Sequence, residues 1–487
     1  DVSSNLIPFL ASNQGNRAQM STRQAEQAVP LLYREAPLVQ TAVDNKGKHT
    51  FEELVGTYAS HRSPVDGTVL RVSADRIVIR DRKGKQHVVQ IYDRFPLNGT
   101  TYLQSEPKVK AGDVVKEDQL LADSNYSRDG RLALGTNLSI AYLAYRGLTY
   151  NDGTVISEAA AKKLTSLHQR KVSVYRTPEV ELDLKKFLAF HPGAIPSDKR
   201  SNYDESGVIK PGTVVGPGDV VIATLRRREF SDYDKRLASF KIGRKSLVQP
   251  YVDDSSTWEY PFRATVAGVA KRGKNLIVYL HSEEPAQVGD KLVGRAANKG
   301  VITSILPAHE MPQDASGKAV DVLMNPLGIP SRINVGQVFE AAAGKVAAKR
   351  KTPYVVSNFS GEDHYATIEK LLADAGVEPE EVLYDPQTKR PIGKVFTGVS
   401  HIYKLKHQVE NKAISARSAV DYPYDVDESP RRGGKTSAAK IDTAAMYALL
   451  AHGASYNLRD ATTYKASKNI ELWNALRFGH PMPAPQV

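Results

Sequence analysis

Gly289-Asp290-Lys291-Leu292-Val293-Gly294-Arg295-Ala296-Ala297-Asn298-Lys299-Gly300-Val301-Ile302 holds two lysines, Lys291 and Lys299, in a run punctuated by three glycines. Downstream, Asn325-Pro326-Leu327-Gly328-Ile329-Pro330-Ser331-Arg332-Ile333-Asn334-Val335-Gly336-Gln337 sets a lone arginine between a proline and a glycine. Glycine lets backbone approach a ligand closely. Lysine offers phosphate a point charge, and arginine a planar fork. The pattern suits a site for a polyanion, with Gly289, Gly294 and Gly300 as the cradle. Taken singly, each lysine has a plainer reading as a solvated surface residue. The spacing is not that of a P-loop, and neither His-Glu-x-x-His nor Gly-x-Ser-x-Gly occurs.

The Gly-Asp that opens this run recurs. Val109-Lys110-Ala111-Gly112-Asp113-Val114-Val115 returns as Val214-Val215-Gly216-Pro217-Gly218-Asp219-Val220-Val221, and more briefly as Val288-Gly289-Asp290. Short β-branched runs surround these units: Thr68–Val72, Arg76–Ile79 and His87–Ile91, the last two separated by the polar turn Asp81–Lys85. Strand–Gly-Asp–strand units predict small barrels or sandwiches with Gly-Asp at the tight turn. Their spacing is too irregular for a solenoid. Residues 1–60 read as irregular. Ser157 is placed to cap a helix from Glu158, and Ser360 with Asp363 to start another whose apolar stripe is Ile368, Leu371 and Leu372, ending at Gly376. Ile441, Ala445, Ala448 and Leu449 line one face of a helix ending at Gly453, and Pro481–Pro485 reads as a tail.

At 487 residues the chain is long enough for several domains, and 41% hydrophobic with 25% charged residues excludes a disordered or membrane-embedded class. No apolar run approaches a spanning helix, and Asp1-Val2-Ser3-Ser4-Asn5 lacks the features of a signal peptide. The absence of cysteine removes disulfides, a thiol nucleophile and a cysteine zinc site. A net charge of +12 suits a nucleic-acid partner, though it also fits a generic basic protein.

The chain resembles the β (second-largest) subunit of bacterial-type multisubunit DNA-directed RNA polymerase. The resemblance is carried by Asn5–Leu10, Asn16-Arg17-Ala18, Gln27-Ala28-Val29-Pro30, Leu134–Asn137 through Asp152, the two stretches quoted above, Lys404-Leu405-Lys406-His407, Lys412 and Ala416-Arg417-Ser418, all in the family's order. It spans nearly the whole chain but only the C-terminal part of such a subunit. Its divergence resembles that of the split β subunits of giant bacteriophages. The implied fold is α+β and β-rich: a double-psi β-barrel core, an inserted flap-like β module and a partly helical C-terminal region. The implied domains are residues 1–164 (first part of the hybrid-binding core), 165–285 (flap-like insert), 286–350 (second part of the barrel), 351–430 (connecting region with start-site contacts) and 431–487 (clamp-like segment and tail).

By the same resemblance Arg17 and Arg332 grip the incoming triphosphate, with Gln27 among the substrate contacts. Lys291 and Lys299 contact RNA phosphates at the growing 3′ end. His407, with Lys412 nearby, reaches the nucleotides at the start site. Asp152 helps to place the nucleotide-bound Mg²⁺ through water. The catalytic Mg²⁺ itself belongs to the partner large subunit, and no zinc is implied. Partners are an N-terminal β fragment, β′-type fragments, DNA template, RNA transcript and NTPs, with a promoter-specificity factor as a further candidate. The setting is the interior of a bacterial host cell, with packaging in the virion left open.

Three positions depart from the family pattern: Asn151 stands where its Glu-Asp pair has glutamate, Glu26 stands at an arginine position, and Ser437-Ala438-Ala439-Lys440 replaces a Gly-Gly-Gln-Arg-Phe-Gly signature. The loss at Asn151 supports the competing class, a non-catalytic nucleic-acid-binding or virion structural protein that keeps the barrels. Asp425-Val426-Asp427-Glu428 resembles a metal site but reads as an exposed acidic loop. The basic residues Arg226-Arg227-Arg228, Lys235-Arg236, Lys241, Arg244 and Lys245 fit an RNA channel or a solvated face equally.

Overall fold

The computed structural model describes residues 2–44, 47–227, 241–242, 245–246, 250–410, 442–463 and 469–481. The chain divides into two units, Asp1–Lys406 and His407–Val487. In the first, seven strands form one sheet: β1 (Thr136–Tyr142), β2 (Gly153–Ser157), β3 (Lys291–Gly294), β4 (Lys299–Leu306), β5 (Val322–Met324), β6 (Glu380–Tyr384) and β7 (Pro391–Lys404). Their order is β1-β5-β2-β4-β3-β7-β6, and β7 also pairs with β1. Six strands therefore close into a ring, with β6 outside on β7. The pairs β1–β5 and β2–β4 are parallel and the other pairs antiparallel. Closure leaves no open edge among the six. Leu138, Ile140, Tyr142, Ile156, Leu292, Ile302, Val322 and Ile402 share one buried cluster. Ala141, Val155 and Leu323, the alternate residues on their strands, belong to a second, as a two-residue period requires.

The ring strand β7 comes from the segment 351–430 that sequence assigns to a connecting region. No strand is expected there from the sequence pattern. Gly398 lets a helix settle on the strand: a Cβ there would lie 2.5 Å from the Ala341 carbonyl oxygen, and one on Gly344 would lie 2.1 Å from that of Val399.

Six helices of this unit matter here: α1 (Gly15–Ala25), α2 (Phe51–Ala59), α3 (Glu158–Lys163), α4 (Gly328–Arg332), α5 (Gly336–Arg350) and α6 (His364–Ala375). The first two correct the expectation that residues 1–60 are irregular. Thr50 and Glu53 form a reciprocal capping box on α2, a Thr-x-x-Glu signal present in the sequence. Ser157 caps α3 through the Ala160 N–H (3.0 Å). The cap of α6 is Asp363, which accepts from the Tyr365 N–H at 2.9 Å, and Ser360 lies outside the helix. Ile368 and Leu372 are buried, and Gly376 ends the helix at φ 56.

The three Gly-Asp units make one turn three times. Gly112, Gly218 and Gly289 sit at φ 97, 83 and 96. Each following aspartate accepts the N–H three residues back: Asp113 from Lys110 (2.7 Å), Asp219 from Gly216 (2.8 Å), Asp290 from Gln287 (3.0 Å). These are the side-chain-closed turns expected of Asp, with glycine supplying the left-handed residue. The first edges a four-stranded sheet built on Gly67–Val72, Arg76–Asp81 and Gln86–Gln90, packed on Val69, Ile77, Ile79 and Leu121. The second belongs to the chain between α3 and β3. There Ser166–Tyr175 and Asn275–Glu284 run antiparallel from Ser166 opposite Glu284 to Tyr175 opposite Asn275.

The second unit contains helices Thr443–Ala451, Ser455–Thr463 and Asn469–Phe478. Ala445 and Ala448, expected on an apolar face, are exposed, and Ile441 lies outside the described residues. Among the described residues no helix is long and apolar enough to cross a membrane.

Candidate functional site

At one end of the ring, a cleft is bounded by the end of β1 (Tyr142), the start of β2 (Asp152–Thr154), the start of β4 (Asn298, Lys299), the end of β5 (Met324) and the α4–α5 turn (Arg332, Asn334, Gln337). Asp152 and Gly153 close a turn in which the Gly153 N–H donates to the Tyr150 carbonyl oxygen (3.0 Å). Asn151 takes φ 54, a left-handed conformation that asparagine tolerates better than glutamate does. The Asp152 carbonyl oxygen accepts from Val301 N–H at 2.9 Å, tying this turn to β4.

The Asp152 carboxylate faces Arg332, with Nη2 2.5 Å from Oδ1; both side chains remain partly exposed, at 31% and 24%. Lys299 is exposed on the same cleft. Three of the sequence-derived site residues are thus brought together. Lys291 lies on the neighbouring strand: Lys291 is opposite Val301 and Val293 opposite Lys299. The two lysines are diagonal neighbours on one face of a hairpin, a relation that spans roughly 7–8 Å. Lys291 is half-buried.

The glycines of this hairpin act differently from the expected cradle. Gly289 forms the Gly-Asp turn. A Cβ on Gly294 would lie 2.5 Å from Asn298 Oδ1, and one on Gly300 would lie 2.1 Å from Thr154 Oγ1. These two positions are small because the protein packs against itself there.

Arg17, near the start of α1, is half-buried and runs along its own helix, 3.7 Å from Met20 Sδ. Gln27 is half-buried, and its carbonyl oxygen accepts from Lys406 N–H (2.9 Å). His407 is exposed and belongs to the second unit. Lys412, Ala416-Arg417-Ser418, the Asp425–Glu428 stretch, Ser437-Ala438-Ala439-Lys440, Arg228, Lys235, Arg236 and Arg244 lie outside the described residues. Arg226 is engaged by Asp254 at 2.9 Å.

Several buried charges hold the hairpin and were not legible as a site in sequence. Arg295, between the two lysines, donates to Glu340 (Nε, 3.0 Å; Nη2, 2.8 Å), to Glu52 (Nη1, 3.3 Å) and to the Val39 carbonyl oxygen (2.7 Å). Burial pushes the Glu52 carboxyl up to about 7, against the pull of Arg295. Ser21 Oγ donates to the Arg295 carbonyl oxygen (2.6 Å), binding α1 to the same hairpin. On β7, fully buried Lys404 donates to Ser166 Oγ and the Glu284 carbonyl oxygen (2.9 Å each), with Asp290 at 3.4 Å. Burial holds its ammonium below the usual lysine range. Glu284 in turn accepts two bonds from Arg170 (2.9 and 2.8 Å), and Arg170 lies 3.7 Å from the Tyr260 ring centroid. One chain of charge thus runs from the ring to the base of the long hairpin.

Among the described residues no group of three or more His, Asp or Glu side chains is gathered as a metal site. The only acid of the sequence-derived site, Asp152, faces a guanidinium.

A closed β ring with a cation-lined cleft at one end defines the architectural class. Residues 62–433 match the family described as RNA polymerase Rpb2, domain 6, more than half of the chain, and the chain belongs to that family. It is similar to the DNA-directed RNA polymerase subunit beta of Prochlorococcus marinus (strain MIT 9301), at 33% identity over 522 residues, covering 99% of this chain and 46% of that one. The subunit beta of Synechococcus sp. (strain WH7803) matches at 33% over 522 residues with the same coverage, 99% and 46%. The chain therefore spans about half the length of the curated relatives it matches.

Proposed function

We propose that this chain acts as the C-terminal part of a β subunit in a DNA-directed RNA polymerase, contributing triphosphate and RNA 3′-end contacts to template-directed nucleotidyl transfer. The observation that carries this reading is the convergence of Asp152, Lys299 and Arg332 on one cleft of a chain aligned along 99% of its length with β subunits. Phosphoryl transfer is chiefly a matter of positioning and charge compensation. Arg332 can present a fork to phosphate oxygens, while Lys291 and Lys299 on one hairpin face can follow an RNA backbone. Gln27, His407 and Lys412 are carried as further substrate contacts, and Arg17 as the second triphosphate arginine. As the resemblance implies, the catalytic Mg²⁺ falls to a partner chain, and Asp152 is carried as an indirect contact to the nucleotide-bound ion.

The closed ring of β1, β5, β2, β4, β3 and β7 supports a double-psi β-barrel, and the long hairpin at its flank supports a flap-like insert at 165–285. Within this reading the chain is a split subunit of bacteriophage type, as the order and divergence of its motifs suggest. Its partners are then an N-terminal β fragment, β′-type fragments, template, transcript and NTPs, in an infected bacterium or a virion. The left-handed φ at Asn151 gives that residue a local structural reason, so its presence does not favour the non-catalytic alternative.

The test is RNA synthesis by the purified chain alone and by the complex that co-purifies with it. The expected result is no synthesis by the chain alone and elongation by the complex. In the complex, Lys291→Ala and Lys299→Ala should weaken primer retention equally across templates and more so with salt, because phosphate contacts carry no sequence information. Robust elongation by the single chain would sink the reading.

A further inference from the structure

We infer that Asn13 is a positioning residue for the triphosphate site, clasping the α4–α5 turn so that Arg17 and Arg332 are held at a set separation. This rests on the reading of those two arginines as triphosphate contacts.

The turn after Arg332 is pinned from two sides. On the ring side, Tyr142 OH donates to Gln337 Oε1 (2.9 Å), Gln337 Nε2 donates to Asn334 Oδ1 (2.7 Å), and Asn334 Nδ2 donates to the Ala296 carbonyl oxygen (3.2 Å). All three side chains are buried. On the other side stands the segment leading into α1. Asn13 and Asn334 form an antiparallel bridge. Gln14 N–H donates to the Ile333 carbonyl oxygen (2.9 Å), and Asn13 Oδ1 accepts from Gly336 N–H (3.1 Å), one of the unpaired donors at the start of α5. The other end of the Asn13 amide, Nδ2, donates to the Phe9 carbonyl oxygen (3.2 Å). Gly336 makes the clasp possible, since a Cβ there would lie 2.5 Å from Asn13 Nδ2.

The clasp has a cost. Ile333 sits at φ 50, a left-handed conformation that a β-branched residue adopts only under constraint. The constraint bears directly on the two cations. Arg332 is two residues from Asn334, at most roughly 7 Å of chain, and Arg17 is four from Asn13, at most roughly 14 Å. Arg17 N–H also donates to the Gln14 carbonyl oxygen (2.9 Å), so α1 begins directly from the clasp. Two arginine-bearing backbone segments set relative to each other before a polyphosphate arrives save part of the ordering cost of bringing the side chains together. Of the two arginines, Arg332 lines the cleft, while Arg17, like Asn13, lies outside its lining; both amide ends of Asn13 are engaged within the protein, so its effect on a ligand runs through the placement of the arginines.

The experiment uses the co-purifying complex and measures kcat and KM for each NTP in primer extension. Asn13→Ala and Gly336→Ala, which break the clasp from opposite sides, should each raise KM for all four NTPs roughly tenfold, with kcat little changed. In a chain already carrying Arg17→Ala and Arg332→Ala, neither should have a further effect. An unchanged KM in both variants overturns the inference. So does a fall in kcat at constant KM, a further KM rise in the arginine-less background, or failure of both variants to assemble, which would make the clasp a folding element. If Arg17→Ala and Arg332→Ala themselves leave KM unaltered, the triphosphate reading fails, and the inference with it.

Discussion

Replacing Glu52 by Gln should flatten a pH dependence that the buried Arg295 cluster builds into this fold. Arg295 meets two buried carboxyl groups, Glu340 at 2.8 Å and Glu52 at 3.3 Å. Burial raises Glu52 from 4.5 to about 7. The folded chain therefore keeps a proton that the unfolded chain releases. The associated stability is complete below pH 4.5, declines as pH rises, and is lost above about 7. The difference corresponds to about 3 kcal/mol. The Thr41 amide reports on it locally, since its N–H donates to Glu52 Oε2 at 3.0 Å. Native-state hydrogen exchange at that amide, corrected for the intrinsic rate, should show an opening free energy falling by about 3 kcal/mol between acid and neutral pH. Glu52→Gln mimics the protonated side chain and should remain level across that window, ending more stable than the unmodified protein at pH 8. Parallel curves for the two proteins would refute the assignment of the proton to Glu52. Because Arg295 sits between Lys291 and Lys299, the same cluster sets the rigidity of the hairpin that presents them.

Arg170→Met should destabilise the long hairpin by about 3–5 kcal/mol, because it strands the buried carboxylate of Glu284; limited proteolysis between 166 and 284 reads this, and adding Glu284→Met should recover most of the loss. Gly300→Ala places a Cβ 2.1 Å from Thr154 Oγ1 and should cost about 1–3 kcal/mol, most of it restored by Thr154→Ala; thermal melting of the two variants decides. In the assembled complex, Asp152→Asn keeps the turn but removes the charge, and should lower nucleotide addition by a factor corresponding to about 1–3 kcal/mol and raise the Mg²⁺ requirement. A Mg²⁺ titration overlaying that of the unmodified complex would defeat a metal-linked role for Asp152.

Local pattern alone determined a good deal of this protein. The Gly-Asp turns, the Ser157 cap and the Gly376 helix end rest on backbone rules that act within a few residues, and each is found in the structure. The α2 capping box is equally local, carried by Thr50-x-x-Glu53 within a segment whose composition reads as irregular. The motif order was sufficient to reach the family. What only the tertiary structure decided depends on residues far apart in sequence. β7 enters the ring by pairing with β1 and β3, and Gly344 and Gly398 admit a helix onto its backbone, neither of which a local pattern signals. Gly294 and Gly300 look like a phosphate cradle until Asn298 and Thr154 are seen to occupy the space. The Arg332–Asp152 pair joins positions 180 residues apart, and Arg295 and Lys404 are ordinary cations until burial removes their water. Periodicity and capping are properties of neighbours along the chain, but desolvation and charge pairing belong to neighbours in space.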